Sequence, residues 1–194
     1  MSEFRLYYEL GLRHILDING YDHILFVVAL CAIYLIDDWR QVLVLVTAFT
    51  VGHSITLALA TFGLVQVNAG LIEFLIPMTI LTTAIINLFV RQPARHQTKV
   101  TINYLFAGFF GLIHGLGFSN YLMSLLGRDS SILMQLLAFN IGLEVGQIII
   151  VGIFMAISFL FVSIFGVNRR DWKLVISAAI AGIALSMALE STYW

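Results

Sequence analysis

Apolar residues fill most of this chain, and short polar or charged clusters divide them into runs near the length of a membrane-spanning helix, about 20 residues. The first run is Tyr21 to Ile36, closed by Asp37 and Asp38. Runs over 40–62, 69–90, 100–126, 131–165 and 174–190 follow. The pattern predicts an all-α polytopic transmembrane bundle with six spans. Pro77 marks a kink in the third, and the fifth run, too long for one upright helix and too short for two, reads as one long or broken helix. Residues 1–20 differ. Glu3, Arg5, Glu9, Arg13 and Asp17 interrupt the apolar core that a cleavable signal would need. Phe4, Leu6, Tyr7, Tyr8, Leu10 and Leu12 instead predict a short amphipathic segment at the interface.

Composition agrees with a lipid environment. Sixty per cent of the 194 residues are hydrophobic and 11% are charged, against roughly 25% charged in soluble domains. That leaves too few charges to keep a water-soluble fold dispersed. The length fits one integral membrane domain over residues 1–194. A net charge of −1 gives no basic field, which excludes nucleic acid as a partner. The single cysteine, Cys31, excludes an intrachain disulfide and a cysteine-based zinc site. A homo-oligomer is compatible with the sequence, which sets no oligomeric state.

Basic residues orient the spans. Arg40, Arg91, Arg95, Lys99, Arg169, Arg170 and Lys173 fall on one side, and only Arg5, Arg13 and Arg128 on the other. The richer side is expected in the cytoplasm of a bacterial inner membrane, with both termini periplasmic. Trp39 and Trp172 then mark the inner interface, and Tyr193 and Trp194 the outer one.

An ionisable group within hydrocarbon is costly unless paired or hydrated, so each is a functional candidate. His14 and Asp17 precede an Asn19-Gly20 break, and Asp22 and His23 open the first span. His53 and Ser54 sit in the second span, Glu73 one turn inside the third, His114 near the centre of the fourth and Glu144 in the fifth. Asn140 and Gln147 share a helix face with Glu144. At about 1.5 Å per residue, these groups lie between the outer surface and the midplane, where they could line one outward-opening pocket. Imidazoles with carboxylates suit a divalent transition metal such as nickel, zinc, cobalt or copper(II), nickel or zinc foremost. His14, Asp22, His23, His53, His114 and Glu144 are the expected ligands. Asp17, Ser54, Glu73, Asn140 and Gln147 are expected to orient them or to bind more weakly. His96, in the basic loop, reads as cytoplasmic surface.

The segments HILDINGYDHILF (14–26), FTVGHSITLA (49–58), GLIHGLGFSNYL (111–122) and FNIGLEVGQ (139–147), in this order, resemble the HupE/UreJ family of small bacterial membrane proteins. The resemblance covers most of the chain and implies a transition-metal permease, often of nickel or cobalt. The Asp-His pair and the Gly-His-Ser are also similar in style to motifs of nickel/cobalt permeases. That similarity implies metal contacts at His14, Asp22, His23, His53 and Ser54.

Three functions are consistent with these residues. In a permease, the ion exchanges water for imidazole and carboxylate, then moves inward. In an intramembrane zinc hydrolase, His23, His53 and His114 with an acidic group and Ser54 would hold zinc and activate a water, with Glu144 or Asp22 as general base, and a lipid amide or ester would be the substrate. A metal sensor or assembly subunit would bind metal without moving it.

Overall fold

The computed structural model describes residues 2–89, 100–126 and 132–191, and every regular element among them is helical. Seven α-helices follow one another: α1 (Glu3–Ile15), α2 (Asp22–Cys31), α3 (Trp39–Thr61), α4 (Ala69–Phe89), α5 (Val100–Leu126), α6 (Ile132–Phe159) and α7 (Arg169–Glu190). A 3-10 turn, Ile36–Asp38, leads into α3, and a π-helical turn, Leu160–Ile164, extends α6. His96 and the basic residues Arg91, Arg95, Lys99 and Arg128 lie outside the described residues, as do Tyr193 and Trp194.

Among the described residues, four helical stretches are long and apolar enough to cross a membrane: Ile36–Thr61, Ala69–Phe89, Ile132–Ile164 and Arg169–Glu190. The fifth apolar run is therefore one continuous helix of 33 residues. Its successor starts earlier than expected, at Arg169, where the Asn168 side chain accepts a hydrogen bond from the Arg170 amide at 2.8 Å and caps the helix. Pro77 lies inside α4 without ending it.

The first span departs from the sequence reading. Only Asp22–Cys31 is helical there, and ten residues rise about 15 Å, half of a bilayer core. α1, the segment expected at the interface, packs lengthwise on α6, burying Tyr7, Gly11 and Ile15. Glu3 pairs with Gln135 at the start of α6, and Ile15 sits against Gly146 further along, so the two helices run parallel. Tyr7 reaches the Leu125 carbonyl at the far end of α5, at 3.4 Å. Past the break, Asn87 of α4 donates to the Ala29 carbonyl at 2.7 Å. Asn103, near the start of α5, donates to the Tyr34 hydroxyl at 3.2 Å. The α1–α2 pair thus begins where α5 ends and finishes where α5 begins: together they run the length of the bundle.

Three helix pairs, α3–α5, α1–α6 and α4–α7, make the most extensive contacts, and α2 lies between α4 and α6. This position explains why α2 is apolar on all sides: Phe26, Val27, Ala29 and Cys31 are all buried. Glycine sets the spacing of two pairs. A methyl group on Gly52 would overlap the Gly108 carbonyl, and one on Gly111 would overlap the Phe49 carbonyl, so α3 and α5 touch main chain to main chain. Gly11 and Gly142 do the same for α1 and α6. In lipid, helix association rests on van der Waals contact, and small residues permit this approach.

Candidate metal centre

Four histidines reach the centre of the bundle from four helices. α1 ends just after His14, where Asp17 accepts a hydrogen bond from the Asn19 amide at 2.9 Å and turns the chain. α2 then opens with Asp22 and His23. The break brings the rings of His14 and His23 together, centroids 4.7 Å apart. His53 of α3 lies 5.8 Å from His23 and 6.1 Å from His14, and His114 of α5 lies 5.1 Å from His23. One donor atom from each of His14, His23 and His53 falls within 4.8 Å of the others, and the same holds for Asp22, His23 and His114. His23 belongs to both groups.

Aromatic rings wall the cluster. Phe118 packs on His14 at 3.9 Å, Phe26 and Phe49 on His114 at 4.9 and 5.2 Å, and Phe139 on His53 at 6.4 Å, centroid to centroid. His53 and His114 are wholly buried, and His23 is 3% exposed.

Hydrogen bonds fix which nitrogens are available. The Asp22 carboxylate lies 3.1 Å from His23 Nδ1, so that nitrogen carries the proton and Nε2 is bare. Thr79 donates its one hydroxyl proton to the Ile76 carbonyl at 2.7 Å. Its oxygen therefore accepts from His114 Nε2 at 3.0 Å, leaving His114 Nδ1 bare. Neither bare nitrogen has a hydrogen-bond partner, nor do His14 Nε2 or both ring nitrogens of His53, although all are buried. A buried polar atom without a partner costs about 1–3 kcal/mol, and a metal ion would satisfy several at once.

The other sequence candidates are in neither donor group. Asp17 is exposed in the break, and Glu73 is exposed on α4. Ser54 donates to the Thr50 carbonyl at 2.7 Å. Glu144, expected in the same pocket, is not brought into the histidine group; its carboxylate accepts from Thr47 at 2.6 Å. Gln147 meets Thr50 at 2.6 Å, and Asn140 Oδ1 is buried without a partner. Of the hydrolytic arrangement, Asp22 stands beside the histidines, whereas Ser54 and Glu144 are engaged away from them. Sequence reading passed over Thr79. Its signal was a mid-helix hydroxyl one turn before a second, Thr83, just after Pro77.

The family described as HupE / UreJ protein matches residues 1–194, the whole chain. No curated protein and no solved structure matches it.

Proposed function

The chain belongs to the HupE/UreJ family, and from that premise we propose that it carries a divalent transition-metal ion, nickel or cobalt foremost, inward across a bacterial inner membrane. One observation carries this reading: buried, unpartnered imidazole nitrogens on four separate helices face one another. Imidazole suits nickel, cobalt, zinc and copper(II), whereas calcium and magnesium want oxygen. Asp22 and Thr79 orient His23 and His114 as metal-binding histidines are commonly oriented.

Six crossings follow if α1 and α2 form one discontinuous helix and α3 to α7 form five continuous ones, with both termini periplasmic. The lengths support this count: about 20 Å for α1 and 15 Å for α2 add to one bilayer core. Transporters commonly bind their ions near the midplane at such broken helices, where irregular backbone lines a cavity. The ion reaches His14, His23 and His53 first. It then passes to Asp22, His23 and His114 without leaving His23, because the two donor groups share that ring. Partial overlap holds the ion at each station without trapping it, which conduction requires.

Proteoliposomes holding the purified chain test the reading. They accumulate nickel or cobalt, and His53→Ala abolishes the uptake. Wild-type vesicles that bind the ion without accumulating it would refute transport, and protein that binds none would refute the metal centre as well.

A further inference from the structure

The threonines of α3 and α4 share a habit. Thr50, Thr56 and Thr61 on α3, and Thr79, Thr82 and Thr83 on α4, each turn the hydroxyl back to a main-chain carbonyl three or four residues earlier, at 2.7–3.3 Å. Thr50 also reaches Gln147 of α6 and Thr79 reaches His114 of α5, but Thr47 has no bond back to its own helix. Its Oγ1 donates to Glu144 Oε1 at 2.6 Å. One turn along each helix, the wholly buried Gln147 meets Thr50 at 2.6 Å, and its Nε2 has no partner. Thr47, Thr50 and His53 follow one another at three-residue steps on α3, so the Thr47–Glu144 contact lies six residues from His53 along that helix.

Glu144 lies near the middle of the 33-residue stretch Ile132–Ile164. A carboxylate at that depth is costly and marks a functional position. Thr47, its neutral partner, is exposed on the flank of the bundle. The charged and titratable side chains on helices packed against α6 include Glu3, Arg5, Glu9, Arg13 and His14 of α1, Asp22 and His23 of α2, and Arg40 and His53 of α3. Asp37 and Asp38 lie on the turn before α3. Among the described residues, none of them forms an ion pair with Glu144. One carboxylate and one hydroxyl are too few donors for a transition metal, but a proton needs only one oxygen.

We propose that Glu144 is a proton-binding site separate from the histidine centre, and that metal movement is coupled to the proton it carries. The proposal rests on the transport reading above for its coupling, though not for the proton site itself. Protonation forms an O–H bond on the carboxylate with a proton drawn from water. Thr47, no longer held by a charge, turns its hydroxyl back to its own helix as its neighbours do. The seam between α3 and α6 then loosens two turns from His53.

Two measurements on the full-length chain in liposomes decide it. Dicyclohexylcarbodiimide, which adds to protonated carboxyl groups in apolar surroundings, is applied to wild-type protein without metal, and the labelled peptide is identified by mass spectrometry. Labelling at Glu144 that rises as the medium is acidified is expected; no labelling there at any pH overturns the proton site. Nickel uptake is then followed with and without an imposed pH gradient. The gradient changes the wild-type rate severalfold, whereas Glu144→Gln binds nickel as wild type does and ignores the gradient. A variant that still responds to the gradient overturns the coupling, and one that loses nickel binding shows that the carboxylate belongs to the metal centre. If wild-type protein moves no metal, the transport reading and the coupling fail together, and the labelling alone decides the proton site.

Discussion

The ring of His14 stands 4.7 Å from that of His23, across a break that separates α1 from α2. No continuous helix could bring them together, because residues nine apart on one helix are about 13 Å apart along its axis. The interruption at Leu16–Tyr21 is therefore what brings the two N-terminal histidines together.

Because His23 is common to both donor groups, His23→Ala should weaken nickel binding more than any other single change. His114→Ala leaves the His14–His23–His53 group intact and should slow transfer more than it weakens binding. Isothermal titration and uptake rates, compared for the two variants, separate these effects. Equal losses in both measurements would contradict the shared-ligand arrangement.

Thr79→Val removes the acceptor that fixes the His114 tautomer while keeping the side chain's shape. Loss of such an orienting partner costs about 10–100-fold in metal affinity. The variant should fold normally and show that loss in titration. An unchanged affinity would mean that His114 does not need Thr79.

Gly52→Ala and Gly111→Ala each press a methyl group into a main-chain carbonyl of the facing helix. Overpacking of this kind costs about 1–3 kcal/mol. Gly152 and Gly182 have open space where a Cβ would be, so their alanine variants serve as controls. Thermal unfolding in detergent should drop for the first pair and hold for the second.

Gly142→Ala acts at a distance. Its methyl group would meet the Tyr8 carbonyl and push α1 off α6. His14 rides on α1, so nickel affinity should fall although no ligand is touched. Full affinity in a variant that still folds would show that α1 need not be seated for binding.

Bound metal should stabilise the fold. At 100 times the dissociation constant, a ligand specific to the folded state adds about 2.7 kcal/mol. Nickel should raise the unfolding temperature of wild-type protein, a chelator should reverse the rise, and His53→Ala should show none. A rise that persists in His53→Ala would point to another binding site.

Much of this arrangement is legible in the sequence. The apolar runs give α3 to α7 nearly in full, because in lipid a helix must satisfy its own backbone and so declares itself by length. Burial of charge singles out His53 and His114 for the same reason. The role of α1 is not legible that way. Its charged residues Glu3, Arg5, Glu9 and Arg13 suggest an interfacial helix, while the contact that seats it, Gly11 and Gly142 against facing main chain, is made with a helix more than a hundred residues away. The neighbour of Glu144 is not legible either, because helical periodicity gives the face of a residue but not what it meets. Thr47, rather than a histidine, occupies the facing position.

The interrupted first crossing also carries an electrostatic consequence. α1 ends at Ile15, one residue past His14, and the peptide dipoles of a helix leave about half a negative charge at that end. The opposing positive end belongs to α2, where the Asp22 carboxylate counters it. The local potential thus favours a cation over an anion before any imidazole is engaged, so an anion such as phosphate would be repelled from the place where a divalent cation would be stabilised.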